Sequence, residues 1–94
     1  MHISRIDLNL FTVFDAIYTE GSITRAGRRL NLTQSAISHT LGRLRQTFGD
    51  TLFERRGHAM VATPLAHQAI APIREALQQL ETALHPTRRF DPAV

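Results

Sequence analysis

Thr33-Gln34-Ser35-Ala36-Ile37-Ser38-His39-Thr40-Leu41-Gly42-Arg43-Leu44-Arg45-Gln46-Thr47-Phe48 decides the fold. Its large apolar residues, Ile37, Leu41, Leu44 and Phe48, fall four, three and four apart. That spacing draws one stripe along an α-helix. At about 100° per residue the opposite side carries Ser35, Ser38, His39, Gly42 and Gln46, with Gln34, Arg43 and Arg45 on its flanks. The first half of this polar side offers short neutral hydrogen-bonding groups and the second half offers two arginines. No acidic residue occurs from Thr33 to Gly49. A helix that only had to stay soluble would intersperse Glu and Lys. This pattern is the one expected of a helix that lies in the major groove of a duplex.

Upstream, Ser22 caps a short helix from Ile23 to Leu30. Ile23, Ala26, Gly27 and Leu30 face inward, and Arg25, Arg28 and Arg29 face out. Asn31, which tolerates positive φ, ends it. Leu32 is expected to plug the turn, and Thr33 to cap the next helix. A small residue at Gly27, a turn residue at Asn31 and a β-branched residue at Ile37 suit two helices that cross closely. This is the helix-turn-helix arrangement. Before it, Leu8, Leu10, Phe11, Val13, Phe14, Ile17 and Tyr18 mark a scaffold helix from about 7 to 20, capped by Asp7 and ended by Gly21.

Downstream, Gly49-Asp50 stops the long polar-faced helix. The strand-like runs 51–55 and 60–63 flank a glycine-containing turn, Arg56-Gly57-His58-Ala59, and predict a hairpin wing. Two strands alone are marginal, so Leu52, Phe53 and Val61 are expected to anchor it on the helices. Thr63-Pro64 is a strong helix start. Beyond it Ala66, Ile70, Ile73, Leu77, Leu80 and Leu84 fall four, three, four, three and four apart, the heptad alternation of a helix that pairs with another helix. Pro72 predicts a kink. His85-Pro86 ends the helix, and 86–94 reads as an extended linker.

The chain has 94 residues, no cysteine and a net charge of +3. That size suits one domain. Disulfides and thiolate metal sites are excluded, and no cofactor or metal is expected. No apolar run reaches the ~18 residues of a membrane span, and the N-terminus lacks the pattern of a secretory signal, so a cytoplasmic location is the default. Seven arginines against two acids lie between Arg25 and Arg56, whereas the other four arginines sit among six acids. A basic middle points to a polyanionic partner. No nucleophile elbow, glycine-rich phosphate loop or paired-histidine metal motif is present, so no enzyme activity is expected.

Taken together, the residues from about Ile6 to Leu84 resemble the N-terminal DNA-binding domain of LysR-type transcriptional regulators. The resemblance rests on Asp7-Leu8-Asn9-Leu10-Phe11, Gly21-Ser22-Ile23-Thr24-Arg25-Ala26, Leu32-Thr33-Gln34-Ser35-Ala36-Ile37-Ser38, Leu52-Phe53-Glu54-Arg55 and Thr63-Pro64-Leu65-Ala66, in that order. It implies a mainly α fold: a winged helix-turn-helix over 6–63 (helix-turn-helix about 23–42, wing about 51–63) and a linker helix over 64–85. In members of the family that helix forms an antiparallel dimer contact, and tetramers are common through a further domain, so a homodimer is expected here. Phe90-Asp91-Pro92-Ala93 resembles the approach to such a domain, the one expected to bind a small-molecule effector. Gly27 replaces the usual Ala, Ser35 the frequent Pro, and His39 the frequent Arg or Lys, so base preference is not transferable from relatives.

By position, Gln34, Ser35, Ser38 and His39 are expected to reach base edges. Thr33, Arg43, Arg45, Arg55, Arg56 and His58 are expected on the DNA backbone or in the minor groove. Ala66, Ile70, Ile73, Leu77, Leu80 and Leu84 are expected at the dimer seam. The plainer alternatives are a solvated polar face for the first two groups and packing within the domain for the third. A reading from another class is a helical dimerisation or adaptor module whose arginines bind an acidic protein.

Overall fold

Helix α1, Asn9–Glu20, is the element against which the rest of the chain packs, touching α2, α3, α4 and β2. A computed structural model describes residues 3–85; the expected linker 86–94 lies outside the described residues. After a 3₁₀ turn, Ile3–Arg5, come α1, α2 (Ile23–Leu30), α3 (Gln34–Phe48), β1 (Phe53–Arg56), β2 (Ala59–Ala62) and α4 (Pro64–Leu84). No described helix is long and apolar enough to cross a membrane.

The capping residues act largely as expected. Ser22, Thr33 and Thr63 each accept, through the side-chain oxygen, an N–H from the first turn of the helix that follows. Gly21, Asn31 and Gly49 end α1, α2 and α3 in the left-handed region. At the start of α1 the expectation shifts by two residues. Leu8 occupies the N-cap position without a side-chain bond, while Asp7 Oδ1 accepts the Asn9 N–H at 2.9 Å.

The core gathers Phe14 and Ile17 from α1, Ile37 and Leu44 from α3, and Leu52 and Phe53 beside the wing, all fully buried. Phe14 stands edge-on to Phe53 at 5.3 Å and tilted to Phe48 at 5.8 Å, geometries that favour ring quadrupoles. This aromatic group fixes the underside of α3 and the root of the wing to the same helix.

The wing is an antiparallel pair in which Phe53 faces Ala62 and Arg56 faces Ala59 across the two-residue turn Gly57-His58. Side chains alternate along a strand, so with Phe53 inward the pattern selects Met60, 9% exposed, as the second anchor. Val61, expected to anchor, points away and is 42% exposed. The first strand starts two residues later than expected because the chain first folds on itself: Phe53 N–H donates to Thr51 O at 2.6 Å around Leu52, whose φ is +63°. Leu32 also departs from expectation. It is 44% exposed rather than plugged into the turn.

Helix α4 continues through Pro72 without a break. Its repeat divides in two. Ala66, Ile70 and Ile73 are buried in the chain's own core, which corrects their assignment to a dimer seam. The helical partner that the repeat anticipates over that stretch is α1. Leu77 packs partly on the core, while Leu80 and Leu84 are 50% and 74% exposed.

Candidate nucleic-acid interface

Because Ile37, Leu41 and Leu44 are buried, the opposite face of α3 must point outward. Ser35, Ser38, His39, Arg43 and Gln46 are all exposed on it. Its first turn is fixed by the Thr33 cap, whose Oγ1 accepts the Ala36 N–H at 3.0 Å. Its last turn is fixed by Gly49, whose N–H donates to Arg45 O at 2.9 Å. The polar face is thus rigidly presented at both ends.

Gln34 is exposed but engaged: its Nε2 donates to Thr24 Oγ1 on α2. The residue therefore stands, exposed, at the junction of the two helices. No pattern in the sequence marks Thr24, ten positions away, as the partner of Gln34.

Beside this junction opens a cleft of about 510 Å³. It is lined by Ser22, Thr24, Arg25 and Gln34 on the helical side and by Arg55, Arg56 and His58 on the wing side. The wing is drawn to the helices by the Met60 N–H, which donates to Gly21 O at 2.9 Å. Arg25, Arg28, Arg55 and Arg56 are exposed and form no ion pair among the described residues. Three of those four line the cleft, so the positive potential is concentrated where the wing and the start of α3 converge. Arg25, expected only to face out from α2, joins the set here. Arg43 lies 3.8 Å from Asp7 Oδ2, a long and exposed pairing that leaves its donors available.

Arg45 is held within the fold. Its Nε donates to Thr51 O and its Nη2 to Phe53 O, both at 2.8 Å. The chain reverses at Gly49 and brings those carbonyls under the guanidinium, so Arg45 braces the loop between α3 and β1. Asp50 completes this joint, its Oδ2 accepting the Leu52 N–H and the Thr63 hydroxyl at 2.8 Å each. These contacts tie the end of α3, the root of the wing and the N-cap of α4 together.

The sequence profile of the lysR family of bacterial regulatory helix-turn-helix proteins matches residues 8–67, more than half of the chain. Nodulation protein D 1 of Bradyrhizobium sp. (strain NC92) is 44% identical over 93 residues, covering 99% of this chain and 30% of that protein. Nodulation protein D 2 of Bradyrhizobium elkanii is also 44% identical, over 99% of this chain and 28% of the relative. The chain therefore spans less than a third of these relatives. Among solved structures, a probable transcriptional regulator from Pseudomonas aeruginosa, PA0477, superposes with a TM-score of 0.85 at 42% identity, covering 92% of this chain and 29% of that one. The BenM DNA-binding domain, solved with benA site 1 DNA, shares the fold at a TM-score of 0.80 and 24% identity, over 92% of this chain and 97% of that one. With its caps, its two crossed helices and its basic wing accounted for residue by residue, the chain belongs to the LysR family of bacterial regulatory helix-turn-helix proteins.

Proposed function

We propose that this DNA-binding domain of a transcription regulator reads duplex sequence by laying α3 in the major groove. Gln34, Ser35, Ser38 and His39 meet base edges. Arg25, Arg43, Arg55, Arg56 and His58 meet phosphates or the neighbouring minor groove, and Thr33, with its oxygen already accepting from Ala36, has its hydroxyl proton to offer a phosphate. The observation that carries the reading is the outward face of α3, free of acids and bordered by the arginine-lined cleft. The fold is also one that BenM and CbnR domains adopt on DNA.

Two copies bind together, joined by the outer half of α4. Leu80 and Leu84 are exposed there, and Ile3, Leu8, Phe11, Pro72, Leu77 and Leu80 line an apolar groove of about 460 Å³ between α4 and the start of α1. A contiguous apolar surface of this kind marks an interface. The occupant proposed for it is the apolar outer half of α4 from a second copy, which carries Leu80 and Leu84.

Selection of bound duplexes from a random pool tests the reading. One enriched motif in two copies is expected, with affinity falling as salt rises by a log–log slope near −0.9 per phosphate contacted. Binding that competitor DNA abolishes, or that enriches no motif, would sink it in favour of a sequence-blind adaptor.

A further inference from the structure

Helix α4 is gripped by α1 on both sides of its internal proline, through groups that take no part in the duplex-reading face. Pro72 has no N–H, so it leaves the Gln68 carbonyl without its helical donor, at the point where helices bend. Before it, His67 Nδ1 meets the Tyr18 hydroxyl at 2.8 Å, with the two rings edge-on. After it, Arg74 Nε donates to Asp15 Oδ1 at 2.8 Å and Arg74 Nη2 donates to Thr19 Oγ1 at 2.7 Å. The Thr19 hydroxyl in turn donates to Asp15 Oδ1 at 3.3 Å, and the guanidinium carbon lies 5.2 Å from the centre of the Tyr18 ring. Asp15, Tyr18 and Thr19 lie on one face of α1 at i, i+3 and i+4.

A single exposed ion pair adds little stability. A planar guanidinium held by a carboxylate, a hydroxyl and an aromatic face is different in kind, because it fixes a direction. The lever is long enough for direction to matter. From Ile73 to Leu84 helix α4 extends roughly 18 Å, so a swing of about 10° at Pro72 moves its tip by roughly 3 Å, close to the ~3.4 Å rise of one base pair.

We infer that Arg74 is a positioning residue for DNA binding: with Asp15, Tyr18 and Thr19 it holds α4 against α1 across Pro72 and so sets the separation of the two recognition helices in the dimer. The inference rests on the dimer proposed above. Duplexes carrying two copies of the half-site that the wild-type chain selects, separated by one base pair more at each step, provide the test. The wild type should prefer one separation, and R74A should lower the ratio between the best and the next separation by about fivefold. Affinity for a single half-site and the urea midpoint should stay near the wild-type values. R74K, which keeps the charge but not the fork, should fall between, and T19V should shift the ratio in the same direction as R74A. A dimeric wild type whose ratio R74A leaves unchanged overturns the clamp alone, as does an R74A that weakens single and paired half-sites equally. A wild type that sediments as a monomer and ignores separation overturns the dimer and the clamp together.

Discussion

A methyl group added at Gly27 and one added at Gly42 meet opposite surroundings. Alanine is favoured over glycine inside a helix by about 1 kcal/mol, so propensity alone would make both substitutions stabilising. At Gly27, however, the new Cβ would sit 2.6 Å from Leu32 O, a backbone atom of a residue whose own N–H is bonded to Gly27 O at 2.8 Å. The turn cannot retreat without losing that bond, and overpacking of this sort costs roughly 1–3 kcal/mol. Gly27→Ala should therefore lower the urea midpoint, by a net ~1 kcal/mol. Around Gly42 nothing lies within 4 Å of the added Cβ, so Gly42→Ala should raise the midpoint by up to ~1 kcal/mol. A helix-interior glycine with no packing role, on the face proposed to meet DNA, suits a close approach of the α3 backbone to the duplex. Gly42→Ala should accordingly bind DNA more weakly while unfolding later; a variant that is more stable and binds as tightly would remove that role. The approach of Gly27 to Ile37 was legible in the sequence, since small and β-branched residues at that spacing specify a close crossing. The obstructing oxygen was not, because it depends on how the backbone of Leu32 runs through the turn.

At the scale of elements, the joint between α3, the wing and α4 separates two kinds of arginine. Arg45 holds two loop carbonyls, so Arg45→Ala should destabilise the fold by ~1–2 kcal/mol, read as a lower urea midpoint. Arg56, exposed on the wing, should leave stability within ~0.5 kcal/mol when changed to Ala. It should instead weaken every duplex about equally and reduce the salt slope by ~0.9. An R45A of unchanged stability that showed only the second behaviour would return Arg45 to the DNA backbone. Asp50→Ala should cost more, about 2–3 kcal/mol by thermal or urea unfolding, because the Leu52 N–H and the Thr63 hydroxyl both lose their acceptor. The same bonds hold Leu52 at φ +63°, a conformation unfavourable for a branched side chain. The helices were readable from caps and periodicity because both are local signals. The joint was not: Asp50 and Thr63 are thirteen residues apart, and no residue pattern announces a left-handed leucine. For the same reason the wing was legible as a hairpin while its inward face was not, since one step of register exchanges Met60 for Val61.

At the scale of the whole molecule, the heptad-like repeat of α4 divides into a buried half and an exposed half. Its first half closes the chain's own core on α1, and its second half projects beyond that core with Leu80 and Leu84 in solvent. Periodicity shows that a helix has an apolar stripe; it carries no information on which neighbour covers each part of it, so the full run read as a seam between copies. The division makes the dimer testable without damage to the monomer. Leu77 is partly committed to the core, so a charge there would confound folding with assembly. Leu80→Arg combined with Leu84→Arg places charges only on residues already half or more exposed, so the unfolding midpoint should remain within ~0.5 kcal/mol of wild type. Sedimentation should then show a monomer. Affinity for one half-site should be retained, whereas affinity for two half-sites should fall by roughly 100-fold or more, the size of the advantage that linkage confers when both sites are engaged at once. If the double variant still sediments as a dimer and still prefers paired half-sites, the outer half of α4 is not what joins the copies.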